Sequence, residues 1–247
     1  MEFERYAEMH ERIFAENELS HFADDVSRET HTRRFFELTE RMLSVNAQMN
    51  LTAVRDAESV IYLHYVDSLK IADHIPQGAT LCDVGCGAGF PSLPLAIVRE
   101  DLRISAVDST EKKVRYVAET ASLLGVSERL NARSARAEEL GQGVLRESFL
   151  AVTARAVSNL QMLSELCLPL VAVGGTFLSM KGSNWEAEYR AAEKAILALG
   201  GTLENVVTFE IRNGALSEKR ALLLIRKTSP TPKQYPRAWG KIKNKPL

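Results

Sequence analysis

The segment LCDVGCGAGFPSLPLAI, residues 81–97, has the residue types and spacing of a ligand-binding turn. Its alternating glycines, which follow a short apolar run, are Gly85, Gly87 and Gly89. Glycine allows the backbone to turn tightly and to approach a ligand without an intervening Cβ. Dinucleotide sites use the spacing Gly-x-Gly-x-x-Gly and place a pyrophosphate at the following helix. Here the third glycine comes one residue earlier and Phe90-Pro91 follows it, so the pattern disfavours a nicotinamide dinucleotide.

A ligand without phosphate suits this turn better, and S-adenosylmethionine (AdoMet) is such a ligand. It needs room for a methionine moiety, acceptors for a ribose diol and an apolar slot for adenine. Asp108 ends the next predicted strand, 23 residues after Gly85, and its carboxylate could accept both ribose hydroxyls. Alternatively Asp108 caps the following helix, although Ser109 or Thr110 could equally do so. Asp83, inside the strand before the turn, requires polar partners because burying a charge is costly.

Strands and helices alternate along the chain in the order that positions such a turn. Strands are predicted at 80–85, 103–109, 130–135, 149–157, 175–182, 202–211 and 220–227. Helices are predicted at 92–99, 111–125, 159–171 and 185–200, with a short turn at 136–140. The alternation predicts an α/β fold with a doubly wound, mostly parallel seven-stranded sheet, and the final hairpin around Asn213 and Gly214 makes the last strand antiparallel. This is the Rossmann-like arrangement of class I AdoMet-dependent methyltransferases, and ligands of such sheets lie at the carboxyl ends of the strands.

Three parts are predicted along the chain. They are an N-terminal helical extension (1–75), an AdoMet-binding methyltransferase core (76–227) and a basic C-terminal tail packed on or near the core (228–247). In the first part Phe35, Phe36, Met42 and Leu43 recur at helical spacing with charges between them, which indicates amphipathic helices. Pro76 then ends the helical pattern.

The net charge of −1 conceals a segregation of charge. Residues 226–247 carry seven Lys or Arg and no Asp or Glu, so the remaining 24 basic and 32 acidic residues give the rest of the chain a charge of −8. Such a tail fits a polyanionic partner, or is simply a solvated end. Its cations interleave with rings, which suits phosphates and unpaired bases of structured RNA. The predicted RNA-binding residues are Arg237, Lys241, Lys243, Lys245, Tyr235 and Trp239.

Cysteine usage and the absence of a membrane signal indicate a cytoplasmic protein. Cys82, Cys86 and Cys167 cannot all pair, and we expect reduced thiols. They have no His or Cys neighbours at metal-binding spacing, so no metal site is predicted. No apolar run approaches the roughly 18–20 residues that cross a bilayer, and the acidic, mixed start of the sequence does not match a secretory signal. A monomer that is not bound to a membrane is the expectation.

Several stretches together resemble one known family. They are NLTAVRD (50–56), HYVDSL (64–69), DVGCGAGFPSLPLAI (83–97), VDSTEKKVRYV (107–117), RAEEL (136–140), VTARAV (152–157), MKG (180–182) and YPRAWGKIKNKPL (235–247). The sequence is similar, from about residue 35 to the C-terminus, to the RsmG family, also called GidB. Members of that family are bacterial 16S ribosomal RNA guanine-N7 methyltransferases, so the resemblance implies this activity, AdoMet as cofactor and the small ribosomal subunit as partner.

The resemblance also implies cofactor contacts for particular residues. Gly85 and Phe90 match the turn of the family, Ala137 and Glu138 match its pair near adenine, and Arg155 matches its arginine after strand four. With the glycines and carboxylate described above, the predicted cofactor site is Gly85, Gly87, Gly89, Phe90, Asp108, Ala137, Glu138 and Arg155. Two features depart from the family pattern: Leu150 stands where an aspartate is expected, and residues 1–30 do not match it.

The residues around strand four agree with transfer to guanine N7. Methyl transfer from a sulfonium is an in-line displacement that depends on positioning and desolvation. Transfer to carbon 5 of a pyrimidine needs a cysteine near strand four, whereas Cys167 lies a full helix later. The Asn/Asp-Pro-Pro-aromatic stretch of amine methylases is missing too. N7 is an unprotonated lone pair that needs no base, so no obligate catalytic residue is expected. We expect Arg155 to position AdoMet or guanine O6, or else to be a salt-bridged residue at a strand end.

Other charged residues near the N-terminus are less specific. His64 and Asp67 stand three apart on a predicted helix and could pair with each other, and a surface or interdomain contact is favoured over an RNA contact. Arg33 and Arg34 could extend an RNA surface or be solvated. Two other functions stay open: a small-molecule AdoMet-dependent methyltransferase, and a non-catalytic RNA-binding ribosome assembly factor that kept the fold.

Overall fold

The computed structural model describes residues 1–22, 26–155 and 157–247. The helices are α1 (Phe3–Glu16), α2 (Arg28–Met49), α3 (Ala57–Val60), α4 (Asp67–Leu69), α5 (Ser92–Val98), α6 (Glu111–Leu123), α7 (Ala137–Gln142), α8 (Leu160–Cys167), α9 (Trp185–Ala198) and α10 (Trp239–Asn244). The strands are β1 (Thr80–Val84), β2 (Arg103–Asp108), β3 (Leu130–Ser134), β4 (Phe149–Arg155), β5 (Val171–Lys181), β6 (Gly201–Asn213) and β7 (Leu216–Lys227).

The strands form one seven-stranded sheet in the order β3-β2-β1-β4-β5-β7-β6. Neighbours among β1 to β5 pair in parallel, and β7 pairs antiparallel with both β5 and β6. The prediction of a doubly wound, mostly parallel sheet with an antiparallel last strand is therefore confirmed. In β1 the residues from Leu81 to Val84 are all buried, as expected for a parallel strand covered on both faces.

Two hydrophobic layers cover the two faces of the sheet. Leu81 belongs to the layer that contains α1, α2, α5 and α6, whereas Cys82 and Val84 belong to the layer that contains α7, α8 and α9. The alternation follows from the two-residue period of a strand. The first layer holds the N-terminal helices through fully buried rings such as Phe35 and Tyr65. The second layer includes Ile242 of α10, so the C-terminal tail packs on the core. The boundaries predicted at 75/76 and 227/228 remain predictions.

The N-terminal part is not helical throughout. Asn50 takes a left-handed conformation with φ of 49° and ends α2. A loop follows until Asp56, whose side chain accepts the backbone N–H of Ser59 and so caps α3. From α3 the chain continues without a break through a π-helical segment, Ile61–Val66, into α4. Single π-helical turns of this kind occur frequently at functional sites.

Several element boundaries differ from those predicted, and strand β7, for example, starts at Leu216 rather than at 220. The helix predicted at 159–171 ends at Cys167, because Pro169 cannot continue it and a 3₁₀ turn, Leu168–Leu170, follows. Strand β5 consequently starts at Val171 rather than at 175. The short turn predicted at 136–140 is the helix α7. In the part of the chain that the structure describes, no helix is both long and apolar enough to cross a membrane.

Candidate active site

A cavity of about 560 Å³ lies at the carboxyl ends of β1 to β4. This is the place where α/β sheets bind ligands, and the volume lies within the roughly 300–1,000 Å³ of small-molecule sites. The predicted cofactor residues that line the cavity are Gly85, Gly87, Phe90, Asp108, Ala137, Glu138 and Arg155. The fold therefore brings together residues that lie up to 70 positions apart in the sequence.

The glycine turn is held against the end of β2. The N–H groups of Gly85 and Cys86 both donate to the carbonyl of Val107, at 2.7 and 2.9 Å. Gly85 and Gly87 have φ of +73° and +56°, a region that other residues rarely adopt. A Cβ on Gly87 would meet only one backbone oxygen, at 3.9 Å, so this part of the turn is open. A Cβ on Gly85 would lie 2.4 Å from Cγ2 of Val157, another residue of the cavity wall.

Gly89 packs against α5, and the cofactor contact predicted for it stays a prediction. It does not belong to the cavity lining. Its φ is +88°, and a Cβ there would lie 2.4 Å from Cδ1 of Leu93. Glycine at this position therefore allows α5 to pack closely against the turn, and the structure gives no support for a direct cofactor contact.

The Asp108 carboxylate accepts backbone N–H groups from both flanking loops, although the N-cap residue of α6 is Thr110 and not Asp108. Its Oδ1 accepts the backbone N–H of Thr110 at 2.8 Å, which fixes the start of α6. Its Oδ2 accepts the N–H of Gly87 at 3.1 Å, which fixes the turn. Carboxylate oxygens have further lone pairs, and Asp108 lines the cavity. The side chain therefore retains the capacity to accept ribose hydroxyls.

Asp83 is fully buried beneath the turn. The hydroxyl of Ser92 donates to its Oδ2. Its Oδ1 finds no hydrogen-bond partner among the described residues. Burial raises the pKa of this carboxyl to about 6, while the Ser92 hydrogen bond and the charge of Arg155 oppose that rise. The polar partners required by the sequence argument are thus only partly present.

Arg155, at the end of β4, is held by the π-helical segment and α4. Its Nη1 donates to the carbonyl of Leu63 and to Oδ2 of Asp67, both at 3.1 Å. Its Nη2 donates to Nδ1 of His64 at 3.2 Å. The guanidinium carbon lies 5.5 Å from the centroid of the Phe90 ring, within range of a cation–π contact. His64 and Asp67 bind Arg155 rather than each other, which is the interdomain contact favoured for them. Arg155 is salt-bridged at the strand end and also lines the cavity, so both possibilities considered for it remain.

His64 is neutral in this setting. Burial and the charge of Arg155 lower the pKa of His64 to about 3. Since Nδ1 accepts from Arg155, Nε2 carries the proton and donates to Oγ1 of Thr52 at 3.0 Å. The ring stacks on Phe90 with centroids 4.6 Å apart and planes inclined by 22°. Both ring nitrogens are therefore engaged, and the stack fixes one wall of the cavity.

The opposite end of the cavity holds Ala137 and Glu138 at the start of α7. Nε of Arg136 donates to Oε1 of Glu138. The guanidinium carbon of Arg136 lies 5.4 Å from the centroid of Trp239. Trp239 also lines the cavity, although it was predicted as an RNA contact. Sequence reasoning missed this placement, because no local pattern shows where a C-terminal tail crosses the surface.

Arg237 anchors the tail. Its Nε and Nη2 donate to the two carboxylate oxygens of Glu165 at 2.8 and 2.6 Å, and its backbone N–H donates to Oε1 at 2.9 Å. Glu165 is buried in α8. The guanidinium is therefore committed to a structural ion pair, which argues against the phosphate contact predicted for Arg237. Tyr235 is half-buried and packs against the layer of α8.

The three lysines of the predicted RNA surface are exposed. Lys241, Lys243 and Lys245 lie on α10 and directly after it, with their side chains in solvent. Arg33 pairs with Glu29, and Arg34 lies near Glu100. Binding of RNA by these residues stays a prediction.

The three cysteines are buried free thiols in the structure. Cys82, Cys86 and Cys167 are free and buried, and burial raises the pKa of each thiol. Within residues 1–22, 26–155 and 157–247, no group of three His, Cys, Asp or Glu side chains could hold a metal ion.

Solved structures with the same fold include methyltransferases. An O-methyltransferase from Bacillus cereus in complex with SAH matches with a TM-score of 0.55 and 14% identity, over 91% of this chain and all of that chain. TYW2 from Pyrococcus horikoshii, in complex with MeSAdo, matches with a TM-score of 0.51 and 15% identity, over 66% of this chain and 62% of that chain. Identities this low support similarity of fold alone.

Similarity of sequence is much closer. A family model described as rRNA small subunit methyltransferase G, GidB, matches residues 31–217. The ribosomal RNA small subunit methyltransferase G of Staphylococcus carnosus is 43% identical over 222 residues, which cover 87% of this chain and 90% of that protein. The protein of the same name from Leuconostoc citreum is 40% identical over 220 residues, which cover 87% of this chain and 89% of that protein.

The sheet order, with a cavity at its carboxyl edge, is that of the Rossmann-like fold of class I AdoMet-dependent methyltransferases. The family match over three quarters of the sequence is more specific. The chain belongs to the rRNA small subunit methyltransferase G family. The resemblance found in the sequence is thereby confirmed, as are the enzyme class and the cofactor. The match begins at residue 31, in agreement with the departure expected for residues 1–30.

Proposed function

We propose that this chain transfers the methyl group of AdoMet to N7 of one guanine in 16S ribosomal RNA of the small subunit. The observation that carries the proposal is the state of the titratable groups in the cavity. Among the described lining residues, each imidazole, carboxylate or thiol is engaged or kept neutral. These groups are His64, Asp108, Glu138 and Cys86.

A site of this kind suits an acceptor that needs no deprotonation. Guanine N7 presents a free lone pair, so the protein has to position the base and exclude water. AdoMet supplies the methyl group from its sulfonium, and the electron pair of the broken C–S bond stays on sulfur. A cysteine-dependent reaction at carbon 5 is disfavoured, because the Cys86 thiol is buried and burial raises its pKa.

The residues fit distinct parts of the cofactor and the acceptor. Gly87 leaves the turn open for the methionine moiety, and Asp108 offers acceptors to the ribose hydroxyls. Ala137 and Glu138 flank the adenine end. Arg155 is the positioning residue, which holds the cofactor carboxylate or guanine O6 while its contacts with the π-helical segment fix its direction.

The exposed cations of the tail suit the RNA partner. Lys241, Lys243 and Lys245 follow directly after Trp239, which lines the cavity. Phosphate contacts at these lysines would bring RNA to the mouth of the site. We further propose that the enzyme acts as a monomer in the cytoplasm, where small subunits are assembled.

Transfer of labelled methyl from AdoMet tests the proposal. The acceptors are naked 16S rRNA, small subunits from a normal strain and small subunits from a strain that lacks this protein, with digestion and mass analysis to locate the label. Label on a single guanine N7, in the deficient subunits or the naked RNA and not in normal subunits, supports the proposal. Label on another atom contradicts it. Retained cofactor binding with no label on any RNA would favour a small-molecule acceptor.

Arg155→Ala sharpens the same test. Transfer should fall by at least tenfold, because the positioning contact is lost. Arg190→Ala is the matched control, since Arg190 is an exposed arginine paired with Glu186 on α9, away from the cavity. Equal methyl transfer by the two variants would contradict the positioning function of Arg155.

A further inference from the structure

The position of the Trp239 ring is set by contacts on both sides of it in the chain. Arg237, two residues earlier, forms the buried ion pair with Glu165. Ile242, three residues later, is fully buried in the layer of α8. The carbonyl of Pro236 also accepts from Nε2 of Gln142 at 2.7 Å. The tail is thus fastened to the core at several points, and the ring is carried at a defined place.

One side of the ring is covered by a charged pair. The guanidinium of Arg136 stacks over Trp239 at 5.4 Å, and Arg136 is itself oriented by Glu138. The ring is only half-buried, and Trp239 belongs to the cavity wall together with Ala137 and Leu166. An apolar ring beside apolar side chains forms a surface on which a flat base can stack.

The ring stands at the end of the cavity far from Arg155. Its neighbours Arg136 and Ala137 follow β3, whereas Arg155 ends β4. Three strand intervals separate β3 from β4 in the sheet order, which corresponds to roughly 14 Å. Asp108, the acceptor for the ribose, ends β2 between them. With a ribose held at Asp108, a purine on the β3 side would lie toward the ring, and the methyl group would lie toward Arg155.

We propose that Trp239 forms a wall of the subsite for the adenine of AdoMet, so that the C-terminal tail is part of the cofactor site. The proposal rests on the cofactor geometry of the proposed function and not on the identity of the RNA. Trp239 contributes by stacking of the adenine base on its indole ring. Its loss is expected to weaken cofactor binding by about tenfold.

The chain offers a direct optical test, because its two tryptophans are Trp185 and Trp239. Trp185 is also half-buried, but it opens α9 and does not line the cavity. Trp185→Phe leaves Trp239 as the sole tryptophan, and Trp239→Phe is the matched control. Titration with S-adenosylhomocysteine or adenosine should change the emission of the Trp185→Phe protein saturably, and free methionine should not. The emission of the Trp239→Phe protein should stay constant.

Calorimetry with S-adenosylhomocysteine supplies the affinities. Trp239→Ala should raise Kd about tenfold, Trp239→Phe should retain most of the affinity because a ring remains, and Trp185→Ala should have no effect. Binding without any change in the emission of Trp239 would overturn the proposal and leave the proposed function intact. If the emission of Trp239 changes with an RNA fragment but not with S-adenosylhomocysteine, the proposal is overturned in favour of an RNA contact. If the unaltered protein does not bind S-adenosylhomocysteine at all, both the Trp239 proposal and the proposed function are overturned.

Discussion

Nη2 of Arg155 lies 3.2 Å from Nδ1 of His64, and this contact joins strand β4 to the N-terminal helices. The two residues are 91 positions apart, and the bond exists only while the imidazole is neutral. Arg155 keeps its direction because the π-helical segment also offers the carbonyl of Leu63. The helical extension is therefore a structural part of the site, and the state of His64 determines the strength of the connection.

The stability of the protein in acid should depend on His64. Because the pKa of His64 in the folded protein is about 3, below its ordinary 6.5, the unfolded chain binds more protons between these values. The free energy of unfolding should fall as pH decreases below 6.5. His64→Gln, which can accept from Arg155 but does not titrate, should reduce the fall between pH 7 and pH 5 by about 1–2 kcal/mol. Urea unfolding across this range measures the effect.

A control separates this effect from general acid destabilisation. His21→Gln alters an exposed histidine that lies near Asp73. Its pH profile should follow that of the unaltered protein. A His64→Gln profile with the same slope as the His21→Gln profile would show that His64 is not the titrating group.

Asp83 should have the opposite pH dependence. Its pKa in the folded protein is about 6, above the ordinary 3.8, so its contribution to stability is complete below pH 3.8 and is lost as pH rises through 6. The asparagine of Asp83→Asn does not ionise, so this variant does not lose stability as pH rises through 6. The variant should gain stability relative to the unaltered protein from pH 4 to pH 8, by at most about 3 kcal/mol. Chemical unfolding of both proteins at pH 4 and at pH 8 measures this gain. The prediction is contradicted if the difference in unfolding free energy between the variant and the unaltered protein is the same at the two pH values.

Sequence patterns predicted the sheet well and the site in part. Parallel strands buried on both faces appear as short apolar runs, so β1 with its glycine turn and Asp108 could be located from local patterns. The partners of Arg155 and the path of the tail across the core could not be predicted from local patterns. The contacts of Arg155 with His64 and of Arg237 with Glu165 join residues 91 and 72 positions apart, and no periodicity encodes them. Gly89 has the pattern of a ligand residue but serves packing against Leu93.

The turn allows a matched comparison of two glycines. Gly85 and Gly125 have similar φ, +73° and +66°, but a Cβ on Gly125 meets nothing within 4 Å. Gly85→Ala and Gly125→Ala should each lose about 1–2 kcal/mol through left-handed strain. Only Gly85→Ala also displaces Val157 from the cavity wall, so only this variant should lose cofactor affinity, by at least tenfold. Gly85→Asp should abolish binding, and normal affinity in that variant would refute the assignment of the turn.

The tail anchor can be tested through stability. Arg237→Ala leaves Glu165, whose side chain is 1% exposed, as an unpaired buried carboxylate. Loss of one partner of a buried pair costs about 3–5 kcal/mol. Because Arg237 is partly exposed, we expect about 2–4 kcal/mol from urea unfolding. Arg190→Ala, in a solvent-exposed pair with Glu186, should change stability by less than about 0.5 kcal/mol. Equal losses would contradict the anchoring function.

The lysines of the tail should control the salt dependence of RNA binding. Lys241→Ala with Lys243→Ala removes two exposed cations that we expect to contact phosphates. The slope of log K against log salt should become shallower by about 1.4, since each phosphate contact on a single strand contributes roughly 0.7. Arg190→Ala with Lys194→Ala removes two cations of α9 and should leave the slope unchanged. Both double variants should bind S-adenosylhomocysteine normally, because neither alters the cavity wall. An unchanged slope in the tail variant would place the RNA contacts elsewhere on the surface.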